Sequence, residues 1–124
     1  MKALFVASTC LTLLLGVGWL CFPQGMLSSW GVAGDPVTVY MARRYGGLFF
    51  GYATILWLSR AAPPSPARTA ILAGGVLCSV VMTAVSLWGA LSGVVGPLIW
   101  FAVAIEAVLA VAFVYYLATA RSTP

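Results

Sequence analysis

Four apolar runs, Ala3–Phe22, Val37–Leu58, Thr69–Leu91 and Leu98–Ala120, take up most of this chain. Each is close to the ~20 residues that a helix needs to cross the hydrocarbon core of a bilayer. No charged residue lies between Arg68 and Glu106. The chain is 63% hydrophobic and only 6% charged over 124 residues. A water-soluble domain with that balance would have too few polar groups to cover its surface. The runs therefore predict an all-α integral membrane protein, an up-and-down bundle of four transmembrane helices. The spans are placed near residues 3–22, 37–59, 67–91 and 97–119, within one domain covering 1–124.

The remaining residues exclude several classes of function. Six basic and two acidic residues, net charge +4, are too few and too scattered to bind nucleic acid. Histidine is absent, and the three cysteines, Cys10, Cys21 and Cys78, form no CxxC pair. Zinc, haem and dithiol chemistry ask for such ligands in clusters, so no metal or cofactor is expected. The cysteines are read as small apolar fillers within packed helices. No nucleophile stands beside a base and no phosphate loop is present, so no enzymatic activity is expected.

Charge and punctuation give a layout. Lys2, Arg60, Arg68 and Arg121 fall on one side if the helices alternate. A basic excess marks the cytoplasmic face, which predicts cytoplasmic termini and two outer loops. The first apolar run, at about 20 residues, exceeds the ~7–15 of a signal-peptide core, and is read as a retained helix. Trp19, Phe22, Trp30, Tyr40, Trp88 and Trp100 would gather at the outer interface. Trp57, Tyr115 and Tyr116 would gather at the inner one. Asp35-Pro36 and Ser65-Pro66 read as N-caps followed by proline in the first turn, and Gly96-Pro97 opens the last helix. The loop Pro23–Gly34, with Met26, Leu27 and Trp30, is expected to lie along the membrane surface.

Small residues recur at helical spacing: Ser8, Thr12 and Gly16; Gly47 and Gly51; Gly75, Ser79, Thr83, Ser86 and Ala90. Close backbone approach and interhelical hydrogen bonds hold helices together in lipid, so these stripes are the expected packing faces. Glu106 is the one acid inside an apolar run. A charge at the bilayer centre costs about 2.5–3.5 kcal/mol, so such a carboxyl normally has a partner or a task. At about 1.5 Å per residue, Glu106 lies roughly 20 Å from the Thr119 end of its helix. Arg43 and Arg44 lie roughly 22–24 Å from the Ser59 end of theirs. Arg43 shares the stripe of Gly47 and Gly51 and is the expected partner of Glu106. The pair would be a structural ion pair or a transport site. Arg44, with Tyr40 one turn away, is expected to reach a lipid headgroup.

The middle of the chain carries a recognisable pattern. A first helix ends in Phe-Pro and is followed by Met-Leu-Ser-Ser-Trp-Gly-Val, Met-Ala-Arg-Arg-Tyr-Gly-Gly and Leu-Trp-Leu-Ser-Arg. Ser-Pro-Ala-Arg and Leu-Ser-Gly-Val come next. Over residues 20–105 this resembles small bacterial four-helix membrane proteins of uncharacterised function. The resemblance implies the four-span layout and a place in the bacterial inner membrane, and implies no activity. Small multidrug transporters, of similar size, carry their essential glutamate in the first helix, whereas Glu106 is in the last. Fluoride channels of similar length carry polar motifs that this chain lacks. The expected function is a non-enzymatic module that packs with its own copies or within a larger membrane complex, surrounded by lipid. The alternative is a small transporter or channel built on Glu106 and Arg43. A lipid-modifying enzyme holding a phosphate on Arg43 or Arg44 is a third reading.

Overall fold

The computed structural model describes residues 1–121, with the side chain of Arg121 left out of the description. Among these residues the chain forms α1 (Lys2–Cys21), α2 (Pro23–Ser29), α3 (Pro36–Ser59), α4 (Pro66–Ser92) and α5 (Ile99–Arg121), and no strand. The four long helices fall where the apolar runs lie. The caps form as read. Asp35 accepts from the backbone N–H of Val37 at 2.9 Å and of Thr38 at 3.2 Å. The Thr38 hydroxyl also donates to the Asp35 carboxylate, which with the backbone donors holds that carboxyl below its ordinary range. Ser65 accepts from the N–H of Arg68 at 3.3 Å. Gly93, in the left-handed conformation at φ 69°, ends α4, where a side chain would be strained.

Three differences from the expected layout have physical causes. The first loop holds a helix, α2, because Pro23 is pre-set for a first helical turn and Leu27 and Met26 find apolar partners. Leu27 is buried, and the thioether of Met26 fills the space beside Gly18. The last helix starts at Ile99, not 97, because the residues after Gly96 are spent on a turn in which the N–H of Ile99 donates to Gly96 at 3.2 Å. Lastly, α1, α4 and Ile99–Ala120 of α5 are each long and apolar enough to cross a membrane. The 24-residue α3 is long enough, but Arg43, Arg44 and three tyrosines dilute it.

α1 packs along α3 and α4 packs along α5, while the two pairs touch each other sparsely. Glycine sets the first pairing. A Cβ added at Gly46 would lie 2.9 Å from the Leu20 nitrogen and 3.2 Å from the Gly16 carbonyl oxygen. One added at Gly16 would lie 3.3 Å from the Gly46 oxygen. The two backbones therefore touch directly. In the second pairing the ring of Phe113 lies against Gly75, where a Cβ would be 2.6 Å away.

The packing face of α3 is consequently Ala42, Gly46, Ala53 and Leu56, all buried. This corrects the stripe of Arg43, Gly47 and Gly51 by one residue, or about 100° around the helix. Both of those glycines are exposed, with nothing within 4 Å of a would-be Cβ. On α1 the small residues Ser8, Thr12 and Gly16 are buried, and on α4 so are Gly75, Ser79 and Ser86, with Thr83 and Ala90 partly buried. Buried Thr9 and Thr12 return their hydroxyls to backbone carbonyls four residues earlier, both at 2.7 Å, and so need no partner helix.

Apolar clusters form at opposite ends of the bundle, and the first ties the two pairs together. Phe5, Leu56, Leu72 and Phe113 bring all four long helices to one end, flanked by Met1, Tyr52 and Leu109. At the other end Trp19, Leu27 and Ala42 gather with Trp30 and Tyr45. There the N–H of Gly96 donates to the carbonyl of Trp30 at 2.6 Å, joining the α2–α3 connection to the α4–α5 turn. Trp19 is 4% exposed, with ring centroids 5.0 Å from Trp30 and 6.0 Å from Tyr45. It is a core residue and not the interfacial one expected. Cys10 and Cys78, expected within packed helices, are exposed, as is Cys21.

Alanine at two neighbouring glycines tests this packing. Gly46→Ala should lower stability by about 1–3 kcal/mol, since backbone cannot yield to the new methyl. Gly47→Ala should be neutral or stabilising by up to ~1 kcal/mol, as expected for an open helical position. Thermal unfolding of the two variants in the same detergent separates the cases.

Candidate functional site: a cavity carrying one acid

Because the helix pairs meet mainly at their ends, they leave a gap between them. A cavity of about 250 Å³ lies there, lined from α1, α3, α4 and α5 and from Met26 and Trp30 at the α2 end. Each helix contributes one stripe at helical spacing: Thr12, Leu15 and Trp19 from α1, and Tyr45, Phe49 and Tyr52 from α3. From α4 come Cys78, Ser79 and Met82. Across from them α5 presents Ala102, Ile105, Glu106 and Leu109. The wall is therefore mostly apolar and aromatic. The rings of Tyr45 and Phe49 meet edge to face at 4.8 Å, continuing the stack from Trp19. Tyr45 also donates to the Met82 sulfur at 3.5 Å, one of the few links from α3 to α4.

Glu106 stands half-buried in this wall. Ser86 on α4 is the polar neighbour of its carboxyl group, while Oε2 is buried and has no hydrogen-bond partner. Tyr45 and Cys78 lie within its electrostatic reach from the opposite helices. The hydroxyl of Tyr52, also in the wall, is buried and unpartnered. No lysine or arginine lines the cavity. Among the described residues no group of three or more His, Cys, Asp or Glu gathers as a metal site would require.

The expected partner of Glu106 is elsewhere. Arg43 is exposed and lines a surface hollow with Cys21, Phe22, Gln24 and Val39, at the turn from α1 into α2. Among the described residues it makes no ion pair with Glu106. The cause is the one-residue rotation of α3: with Ala42 and Gly46 against α1, Tyr45 and Phe49 face the cavity and Arg43 points away from it. Arg44 is exposed and donates to the Tyr40 hydroxyl at 3.3 Å, its guanidinium 5.8 Å from that ring. The structure thus joins Arg44 with Tyr40 and separates Arg43 from Glu106. Of the cavity residues missed at the sequence level, Tyr45, Phe49 and Tyr52 were the legible ones, as an aromatic stripe at i, i+4 and i+7. Cys78 carried no signal.

The chain belongs to a family described as a domain of unknown function, DUF8292, whose model matches residues 1–118. Searches of curated proteins and of solved structures give no match.

With the two groups apart, Arg43→Gln and Glu106→Gln should change stability independently. Their effects should sum to that of the double variant within about 0.5 kcal/mol. Unfolding of the three proteins measures this. A coupling near the ~3–5 kcal/mol of a broken buried pair would put Arg43 back beside the acid.

Proposed function

We propose that this is an integral membrane protein in which α1, α3, α4 and α5 all span the bilayer, and that it holds a small molecule in the cavity around Glu106. The carrying observation is the cavity itself, lined from all four long helices and bearing one acid with a buried, unpartnered oxygen. Helices joined only to build an assembly interface would close against each other. These stand apart around a carboxyl group whose burial in lipid costs about 2.5–3.5 kcal/mol. Mostly apolar pockets with a few convergent polar groups are the usual form of a small-molecule site. The role is binding or transport, with no bond made or broken. Glu106 is its anchor and Tyr52 a second polar contact.

The bilayer setting is supported by the outer surface, where Leu14, Leu48, Leu91 and Val111 are each about seven-tenths exposed. Water would penalise such a surface, and lipid would not. The Arg43 and Arg44 side chains lie within three turns of the Asp35 end of α3 and would reach lipid phosphates there, Arg44 braced by Tyr40. Lys2, Arg60 and Arg68 lie at the opposite end, a basic excess that supports a cytoplasmic side for it and for both termini. A larger assembly would use the outer face of α5, a surface that lipid covers equally well.

Two measurements bear on this reading. For orientation, Cys21 should react with an impermeant thiol reagent added outside intact cells, and a cysteine replacing Ser65 should not. For the site, Cys78 is exposed and lines the cavity, so it reports occupancy. In a Cys10→Ala, Cys21→Ala protein, N-ethylmaleimide should modify Cys78 more slowly when a ligand is bound. Some member of a panel of small aromatic cations, anions and neutral compounds should give protection, and Ala102→Phe, which fills the cavity, should abolish it. Lack of protection by every class would overturn the reading.

A further inference from the structure

We infer that the cavity ligand is a small organic cation, an ammonium group carrying an apolar or aromatic body. This rests on the reading that the cavity holds a ligand, and it adds the ligand's charge. Three observations meet at one place. First, Glu106 Oε2 is buried with no hydrogen-bond partner, and its known neighbour, Ser86, is a neutral hydroxyl. Second, no basic side chain lines the cavity, and the basic residue at comparable distance along α3, Arg43, is turned into a separate hollow. Among the described residues no cation reaches Glu106, so a ligand is the natural source of its counter-charge. Third, the wall carries six aromatic side chains, Trp19, Trp30, Tyr45, Phe49, Tyr52 and Phe101, among aliphatic ones. Ring faces attract cations through their quadrupole, tryptophan and tyrosine most strongly, and aromatic cages are a standard device for quaternary ammonium groups.

The same wall disfavours the other charge classes. An anion would meet the carboxylate and the negative ring faces with no cation to offset them. A neutral apolar molecule would fill the space but leave Oε2 unpaired. The volume of about 250 Å³ sits just below the ~300–1,000 Å³ of drug-sized sites, so the body is limited to about one ring.

The test uses three probes of one shape: benzyltrimethylammonium, its neutral carbon isostere neopentylbenzene, and phenylmethanesulfonate. Each is assayed on the purified full chain by the slowing of Cys78 modification. Benzyltrimethylammonium should protect at concentrations at least tenfold below those of either other probe. Glu106→Gln should weaken its protection at least tenfold while leaving that of neopentylbenzene unchanged. If neopentylbenzene or phenylmethanesulfonate protects as well as the cation, the ligand is not selected by charge and the inference falls, although the cavity remains a binding site. Cation protection that survives Glu106→Gln undiminished overturns it equally. Should that variant fail to fold, the three-probe comparison on the parent protein decides alone.

Discussion

The contact between Gly16 and Gly46 governs the rest of the structure. With no side chain on either residue, the backbones of α1 and α3 touch, and a carbonyl of each helix lies where the other would carry a Cβ. That contact sets the rotation of α3. Ala42, Gly46, Ala53 and Leu56 turn toward α1, and their neighbours Tyr45, Phe49 and Tyr52 turn toward the centre. A rotation of one residue the other way would have placed an arginine where Tyr45 now stands. The identity of the cavity wall is therefore a consequence of where two glycines allow two helices to meet.

The second pair obeys the same rule with a different partner. Gly75 leaves room on α4 for the ring of Phe113, and that ring also packs toward Phe5 of α1, centroids 6.4 Å apart. Phe113 thus serves two contacts, one within its pair and one between pairs. At the far end the link is backbone to backbone, from Gly96 to Trp30, and Gly96 again has little room for a side chain. Tight pairs joined at their ends, with little contact between, make a gap inevitable.

Polar groups in the interior follow two patterns. Thr9, Thr12 and Thr83 each donate to a carbonyl of their own helix at 2.7 Å, and so are silent toward any ligand. Glu106 Oε2 and the Tyr52 hydroxyl have no such outlet. A carboxylate cannot donate to a backbone carbonyl, and a tyrosine hydroxyl lies too far from its own backbone to turn back on it. Both line the cavity, whereas Ser8 Oγ, also buried without a partner, does not.

Much of this was readable along the chain. Four long helices, the Asp35 and Ser65 caps, the small-residue faces of α1 and α4, and the singular position of Glu106 all follow from spacing and residue type. Those features depend on neighbours within a few residues, and local sequence determines them. The partner of Glu106 did not follow. Helical periodicity offers two faces of α3 with small residues, one through Gly46 and one through Gly47, and nothing local chooses between them. Only the fit of α3 against Gly16 and Trp19 made that choice, because close packing discriminates positions that differ by one residue while periodicity does not. Arg43 went outward with that choice, the aromatic stripe went inward, and Glu106 was left facing a cavity instead of an arginine.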